Sequence, residues 1–258
     1  MKYSIVIPAY NESSRILPTL EKVAAYVSLQ GWDAEIVVVN DGSRDNTADV
    51  VREFGARHPI VRLVENPGNR GKGYAVRNGM RHATGDVLIM TDADLSSPIE
   101  EATRLLDALD AGADVAFGSR WLQAHMQTER QPLYRQFFGR MFNFTVRLLL
   151  GGSIRDTQCG FKAFTREAAD AIFPRMRIDR WGFDPEILYL AVKSRLRIVE
   201  VPVHWAHDEN TKISYFRDGI RMLGELFKIR WYGLTGQYPP APRRQPVKKS
   251  KQRVEIVA

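Results

Sequence analysis

Residues 87–98 read VLIMTDADLSSP. Four apolar residues are followed, within four positions, by two carboxylates, Asp92 and Asp94. A short apolar run that ends in turn residues reads as a buried strand. Its tip then projects two negative charges. If the chain turns between them, both carboxylates can reach one hard divalent cation. Oxygen ligands favour Mg2+ or Mn2+ over softer metals. D-x-D alone occurs by chance in many loops, so its weight depends on its surroundings.

Outward from this stretch, strand and helix signals alternate. Residues 3–8 (YSIVIP), 34–41 (AEIVVVND), 60–66 (IVRLVEN) and 113–120 (ADVAFGSR) predict further strands. Residues 13–30 space Ile16, Leu20, Val23 and Val27 as on a helix, with Ser13 or Ser14 as its cap. Residues 43–58 predict a second helix capped by Asp45, and 71–85 a third closed by glycine. Residues 97–112 predict a fourth, with Pro98 near its start. Strands separated by helices of this length imply a largely parallel sheet with helices on both faces. Ligands bind such sheets beyond the carboxyl ends of the strands. Pro8, Asp41, Asp92 and the pair Ser119 and Arg120 all fall just past strand ends, so they gather on one rim. One carboxylate there is an ordinary turn former; several on one rim point to a site.

Composition sets the outer bounds. The chain has 258 residues, 44% of them hydrophobic, enough for one α/β domain with additions or for two small domains. Cys159 is the only cysteine, so no internal disulfide forms. The first twelve residues lack the apolar length and cleavage site of a signal peptide. Nowhere do about 18 apolar residues run uninterrupted, so no transmembrane helix is expected. The net charge is +7, but residues 241–258 hold six basic residues against Glu255. That leaves +2 for the body, which gives a nucleic-acid binder no basic groove.

The motifs SIVIPAYNE (4–12), VVVNDGSRDNT (37–47), NRGKGYAVRNGM (69–80), TDADLSSP (91–98) and GSR (118–120), in this order, resemble glycosyltransferase family 2. Later, DTQCGFKAF (156–164) and WGFDPEILYLA (181–191) are similar to the branch that makes polyprenyl-phosphate sugars. Within that branch they are closer to dolichyl-phosphate β-glucosyltransferases than to mannose synthases, which tend to carry Ser-Gly where Cys159 and Gly160 stand. The resemblance implies a GT-A fold, Rossmann-like with a mostly parallel sheet flanked by helices, a nucleotide-sugar donor and inversion at the anomeric carbon. Carried over by position, Pro8, Ala9, Tyr10 and Glu12 line the nucleotide pocket, Asp41 holds the base or ribose, and Lys72 sits near the nucleotide. Asp92 lies by the ribose and diphosphate and, with Asp94, binds Mg2+ or Mn2+, Asp94 as the principal ligand. Mannose synthases add a glutamine two residues later; Ser96 stands there in this chain, and Gln158 is a candidate replacement.

The implied reaction expels a nucleoside diphosphate, whose growing charge a cation must neutralise. A lipid phosphate acceptor is already anionic and needs positive charge rather than a base. Arg120, Arg135 and Arg140 are the leading candidates, with Arg130 behind them. If the acceptor were a hydroxyl, Asp184 or Glu186 would be the base, although both also suit the first turn of a helix. Trp181 and Phe183 are candidates to frame the sugar. His204 and His207 lack a third soft ligand for zinc.

Residues 211–236 mix Phe216, Ile220, Phe227 and Trp231 with Arg217, Arg221, Lys228 and Arg230. They read as an amphipathic helix lying in a membrane interface. Residues 1–210 are then the catalytic domain and 237–258 a basic, disordered tail. The sequence thus predicts an enzyme on the cytoplasmic face of a membrane, peripherally bound. It transfers a hexose, by resemblance glucose from UDP-glucose, to a polyprenyl phosphate. The competing readings are a family 2 transferase with a saccharide or small-molecule acceptor, and a non-catalytic, membrane-associated nucleotide-sugar binding protein.

Overall fold

The computed structural model describes residues 1–122, 133–151, 154–206 and 215–242, the side chains of 133–138 and 215–218 excepted. The first half of the chain runs β1 (Lys2–Ala9), α1 (Ile16–Leu29), β2 (Asp33–Asn40), α2 (Thr47–Arg57), β3 (Val61–Glu65), α3 (Lys72–His82), β4 (Val87–Met90), α4 (Ala102–Asp110) and β5 (Val115–Ser119). The second half runs α5 (Leu133–Leu150), β6 (Lys162–Thr165), α6 (Arg166–Ile172), α7 (Phe183–Lys193), β7 (Ile198–Pro202) and α8 (Tyr215–Leu234).

The strands form one seven-stranded sheet in the order β3-β2-β1-β4-β6-β5-β7. All neighbours are parallel except β6, which runs antiparallel to both β4 and β5. The period-2 alternation of strand side chains splits the core in two. Ile5, Ile7, Ile36, Val38 and Ile89 pack under α1, α2 and α4. Val6, Val37, Val39, Met90 and Phe117 pack under α3, α5, α6, α7 and α8. Helices therefore cover both faces, as the sequence pattern predicts.

Successive strands β1, β2 and β3 step one way across the sheet, and β4 lies on the other side of β1. The order reverses between β1 and β4, and the crevice beyond such a switch point is where ligands enter these sheets. Among the described residues, no helix is long and apolar enough to cross a membrane.

Three local expectations are corrected, and one strand is added. Neither Ser13 nor Ser14 caps α1; Arg15 is the cap residue, and the carbonyl of Glu12 accepts from the N–H groups of Arg15 and Ile16. Helix α3 ends at His82, short of Gly85, because Gly85 is needed where the chain passes the backbone of Lys2 to Ser4. Strand β6 was not foreseen: it has four residues and opens on a lysine. The first residues past α8 are not a loose tail, since Tyr238 Oη donates to Glu186 Oε1 (2.7 Å) and Arg175 Nε donates to the Pro239 carbonyl (2.7 Å). The tyrosine supplies the apolar contact that the composition of the segment as a whole hides; its ring lies 5.8 Å from that of Tyr189. Residues 243–258 lie outside the described residues.

Candidate active site

The rim assembles as the strand ends require. Pro8 and Ala9 close β1, with Tyr10 half-buried beyond them. Asp41 follows β2, Asp92 and Asp94 follow β4, and Arg120 follows β5. Because β6 is antiparallel, its start rather than its end reaches this rim, where Lys162 pairs with both Met90 and Phe117.

Asp92 and Lys72 are joined at the centre, with Lys72 Nζ 2.6 Å from Asp92 Oδ1. The glycines on either side of Lys72 make this approach possible. Gly71 has φ +107°, and a Cβ there would strike the carbonyl of Asp179. A Cβ on Gly73 would meet the carbonyl of Ile178 and the side chain of Phe183. With both bare, the start of α3 docks on residues 178–183, and the Lys72 ammonium sits 5.5 Å from the Trp181 ring centroid and 5.9 Å from that of Phe183. Burial alone would lower the Lys72 pKa, but the carboxylates of Asp92 and Asp184 outweigh it and raise it. Burial would likewise raise the carboxyl of Asp92, but Lys72 holds it below the usual range.

At Asp94 the balance runs the other way, because Lys72 and Ser96 lower its carboxyl less than its surroundings raise it. Its Oδ1 accepts from the Ser96 N–H at 2.9 Å, and burial, reinforced by the charge of Asp92, pushes its carboxyl up. The turn that carries both acids is tight: Leu95, just after Asp94, adopts φ +47° and donates its N–H to the Asp92 carbonyl (3.2 Å), and Thr19 of α1 donates to the Ala93 carbonyl at 2.6 Å. Two crowded carboxylates facing one lysine form an oxygen donor set with excess negative charge. That set suits a hard divalent cation. Among the described residues, no group of three or more His, Cys, Asp or Glu side chains gathers for a metal. Gln158 lies with its amide nitrogen 3.9 Å from Met222 Sδ.

Asp41 is buried and uses its carboxylate on the protein. Oδ1 accepts from Asn66 Nδ2 (2.7 Å) and the Arg70 N–H (3.0 Å), and Oδ2 accepts from the Gly71 N–H (2.8 Å). It thereby fixes the loop that leads into Lys72. Glu12 is ion-paired with Arg15 at 2.7 Å.

Arg120 and Arg140 are both engaged by neighbouring side chains. Arg120 grips the buried Asp156 with Nε to Oδ2 (2.7 Å) and Nη2 to Oδ1 (2.8 Å), and its N–H adds a third bond to Oδ2 (3.0 Å). Burial would raise the Asp156 carboxyl, but Arg120 holds it low. The Arg120 guanidinium lies 5.4 Å from the ring centroid of Trp205, and that of Arg140 lies 5.1 Å from Trp121. The Arg135 side chain, Arg130 and His207 lie outside the described residues. His204 pairs with Glu101 at 2.5 Å.

Sequence reasoning missed Lys162, which is fully buried. Its ammonium donates to Asp184 Oδ1 at 2.6 Å and to the Cys159 carbonyl, 5.1 Å from the Phe117 ring centroid. The signal was present in FKAF, a charge inside an apolar run, but its partner lies 22 residues away. Asp184 is thus tied to Lys162. Glu186 is fully buried and accepts from the Arg177 and Ile178 N–H groups, a structural anchor rather than a base. Cys159 is a buried thiol pushed up to about 11 by burial, which suits a packing role.

Gly160 has one consequence that can be measured. A Cβ at this position would run into the carboxylate of Asp92. Gly160→Ala should therefore displace Asp92 from Lys72 and destabilise the fold by about 1–3 kcal/mol, read by urea denaturation. A variant as stable as the parent would show that the loop yields freely.

Comparison with known proteins agrees with this arrangement. The model described as glycosyl transferase family 2 matches residues 4–173. A dolichyl-phosphate beta-glucosyltransferase of Trichomonas vaginalis is 39% identical over 246 residues, 90% of this chain and 72% of that protein. The enzyme of that name from Saccharomyces cerevisiae is 36% identical over 256 residues, 91% of this chain and 76% of that one. Among solved structures, glucosyl-3-phosphoglycerate synthase from Mycobacterium tuberculosis, in complex with Mn2+, UDP-glucose and phosphoglyceric acid, superposes with a TM-score of 0.67 at 19% identity. The match covers 89% of this chain and 80% of that one. The sheet with its switch point is thus the GT-A arrangement, and the chain belongs to glycosyltransferase family 2.

Proposed function

We propose that this protein transfers glucose from UDP-glucose to a polyprenyl phosphate, with inversion at the anomeric carbon. The observation that carries the reading is the cluster of Lys72, Asp92 and Asp94 at the β1/β4 switch point. The chain that holds it shares over a third of its residues with dolichyl-phosphate beta-glucosyltransferases across nine-tenths of its length.

In this reading the turn of Pro8, Ala9, Tyr10 and Glu12 walls the nucleotide end, and Asp41 positions the loop that presents Lys72. Gln158 borders the donor from the 156–160 loop. Asp92 and Asp94 would hold Mg2+ or Mn2+, which would supply Lewis-acid neutralisation of the leaving diphosphate. Lys72 adds a fixed positive charge beside it. An acceptor phosphate oxygen, anionic at neutral pH, attacks C1 as the bond from C1 to the diphosphate breaks. The new bond runs from C1 to the acceptor phosphate, and no proton has to be removed. That accounts for a rim whose acids Asp184 and Glu186 are both engaged with the protein. Arg120, held rigid by Asp156, and Arg140, stacked on Trp121, are placed to draw in the acceptor phosphate, with Arg135 as a third candidate. Helix α8 keeps the enzyme peripherally at a membrane surface, where such an acceptor resides.

The test is nucleoside diphosphate release from a panel of UDP- and GDP-sugars, with and without a short polyprenyl phosphate. Release from UDP-glucose that depends on the lipid phosphate is expected. Equal release without the lipid would move the acceptor to a saccharide or small molecule. Metal-dependent nucleotide binding with no release from any donor would leave a binding protein.

A further inference from the structure

Helix α8 is apolar on two opposite sides. Met222, Leu226 and Ile229 are buried in the core. At 100° per residue, Ile220, Phe227 and Trp231 fall on the other side, and they are 58%, 62% and 61% exposed. Helix α5 packs beside α8 and repeats the pattern. Phe142, Val146 and Leu150 point inward, while Met141, Phe144 and Leu148, spaced i, i+3, i+7, point outward, Phe144 and Leu148 being 58% and 73% exposed. Of the twelve large apolar side chains exposed among the described residues, eight lie on these two helices. Exposed apolar residues scattered singly need no explanation, whereas a concentration of this kind marks an interaction surface.

The charges around this surface favour one occupant. Helix α5 contains no acidic residue. Arg140, Arg221, Lys228 and Arg230 are exposed along the two helices. A cleft of about 460 Å3 beside the outward face of α8 is lined by Arg180, Arg221, Gly224, Glu225 and Lys228. Its one acid, Glu225, accepts from the Gly182 N–H at 2.7 Å. Pairing this face with a second copy would bring these cations together. An anionic bilayer would meet them with opposite charge while its acyl region took up the aromatic and aliphatic groups.

We propose that the outward faces of α5 and α8 form one docking surface for an anionic lipid bilayer, and that the cleft of Arg180, Arg221 and Lys228 seats a phospholipid headgroup phosphate. The inference rests on the membrane-surface reading above and extends it from one helix to two and to a headgroup site. It also places the bilayer next to the candidate active site, since Gly182, held by Glu225, adjoins Trp181 over Lys72.

Flotation of the full-length chain with phosphatidylcholine vesicles, with and without phosphatidylserine, tests it. Phe144→Glu with Leu148→Glu on α5, and Phe227→Glu with Trp231→Glu on α8, should each weaken partitioning about tenfold or more. Arg221→Glu with Lys228→Glu should remove about tenfold of the preference for phosphatidylserine and most of the salt dependence. Melting temperature, and turnover with a short-chain acceptor in the absence of vesicles, should be unchanged in all three. Alanine versions of the apolar pairs provide a milder second set should a glutamate pair lower the melting temperature. Parental partitioning of the α5 pair would overturn the two-helix surface, and an unchanged lipid preference in the cation pair would overturn the headgroup site. A parent that ignores vesicles but dimerises, with the same pairs making it monomeric, would assign the face to self-association. Vesicle binding that persists in a protein without lipid-dependent turnover would refute the proposed reaction and leave the docking surface standing.

Discussion

Asp94→Asn is expected to lower turnover about a thousandfold while leaving melting temperature unchanged or slightly raised. Asparagine keeps the shape of the side chain and still accepts from the Ser96 N–H. What it loses is the charge that offsets the cation beside a leaving diphosphate, a contribution of several kcal/mol at the transition state. The stability side has the opposite sign. Asp94 sits half-buried beside Asp92, and both desolvation and that neighbouring charge disfavour its ionised form. Removing the charge relieves repulsion in the unliganded protein. Rate and stability thus separate in this variant, which a loss of fold would not allow. Turnover and thermal melting on the same preparation check it, and retained metal-dependent turnover would refute the role assigned to Asp94.

Lys162→Met is expected to act in the reverse way, with the largest effect on stability. The ammonium is fully buried and bonded to Asp184, itself almost fully buried. Removing one partner of a buried pair strands the other charge and costs about 3–5 kcal/mol. Here the stranded carboxylate of Asp184 would also lie in the field of Asp92, which already raises it. Asp184→Leu alone strands the lysine and should cost a similar amount. The double variant replaces the pair with apolar groups and should recover most of the loss, because isosteric apolar replacement of a buried ion pair is often near neutral. A urea-denaturation cycle over the four proteins measures this. Additive losses in the double variant would mean that the two side chains act independently.

These two predictions also divide what the sequence shows from what it hides. Asp94 was legible because local features mark it: an apolar strand of four residues, then acids two apart, then Pro98. The parallel half of the sheet was legible for the same reason, since each strand and helix carries its own period. Lys162 was not legible as a site residue. Its strand has four residues, is antiparallel, and brings its first residue to the rim only because β4 and β5 lie on either side of it. Arg120 could be placed on the rim from sequence, but its bond to Asp156 spans 36 positions, and no local pattern reports such a contact. Helix α8 shows a third kind of limit. Periodicity marks it as amphipathic, yet with apolar residues on two opposite sides it cannot say which side the core takes. The structure assigns Met222, Leu226 and Ile229 inward, and that assignment leaves Phe227 and Trp231 outside.

The central claim is a transfer from donor to lipid phosphate, and the most direct measurement follows the sugar itself. Protein is incubated with UDP-[14C]glucose and a polyprenyl phosphate, with Mg2+ or Mn2+ or with a chelator, and label is counted in the organic phase. The account predicts that label enters the lipid mole for mole with UDP released, only when both lipid phosphate and divalent cation are present. UDP released with the label left in the aqueous phase, or transfer undiminished by the chelator, would contradict it.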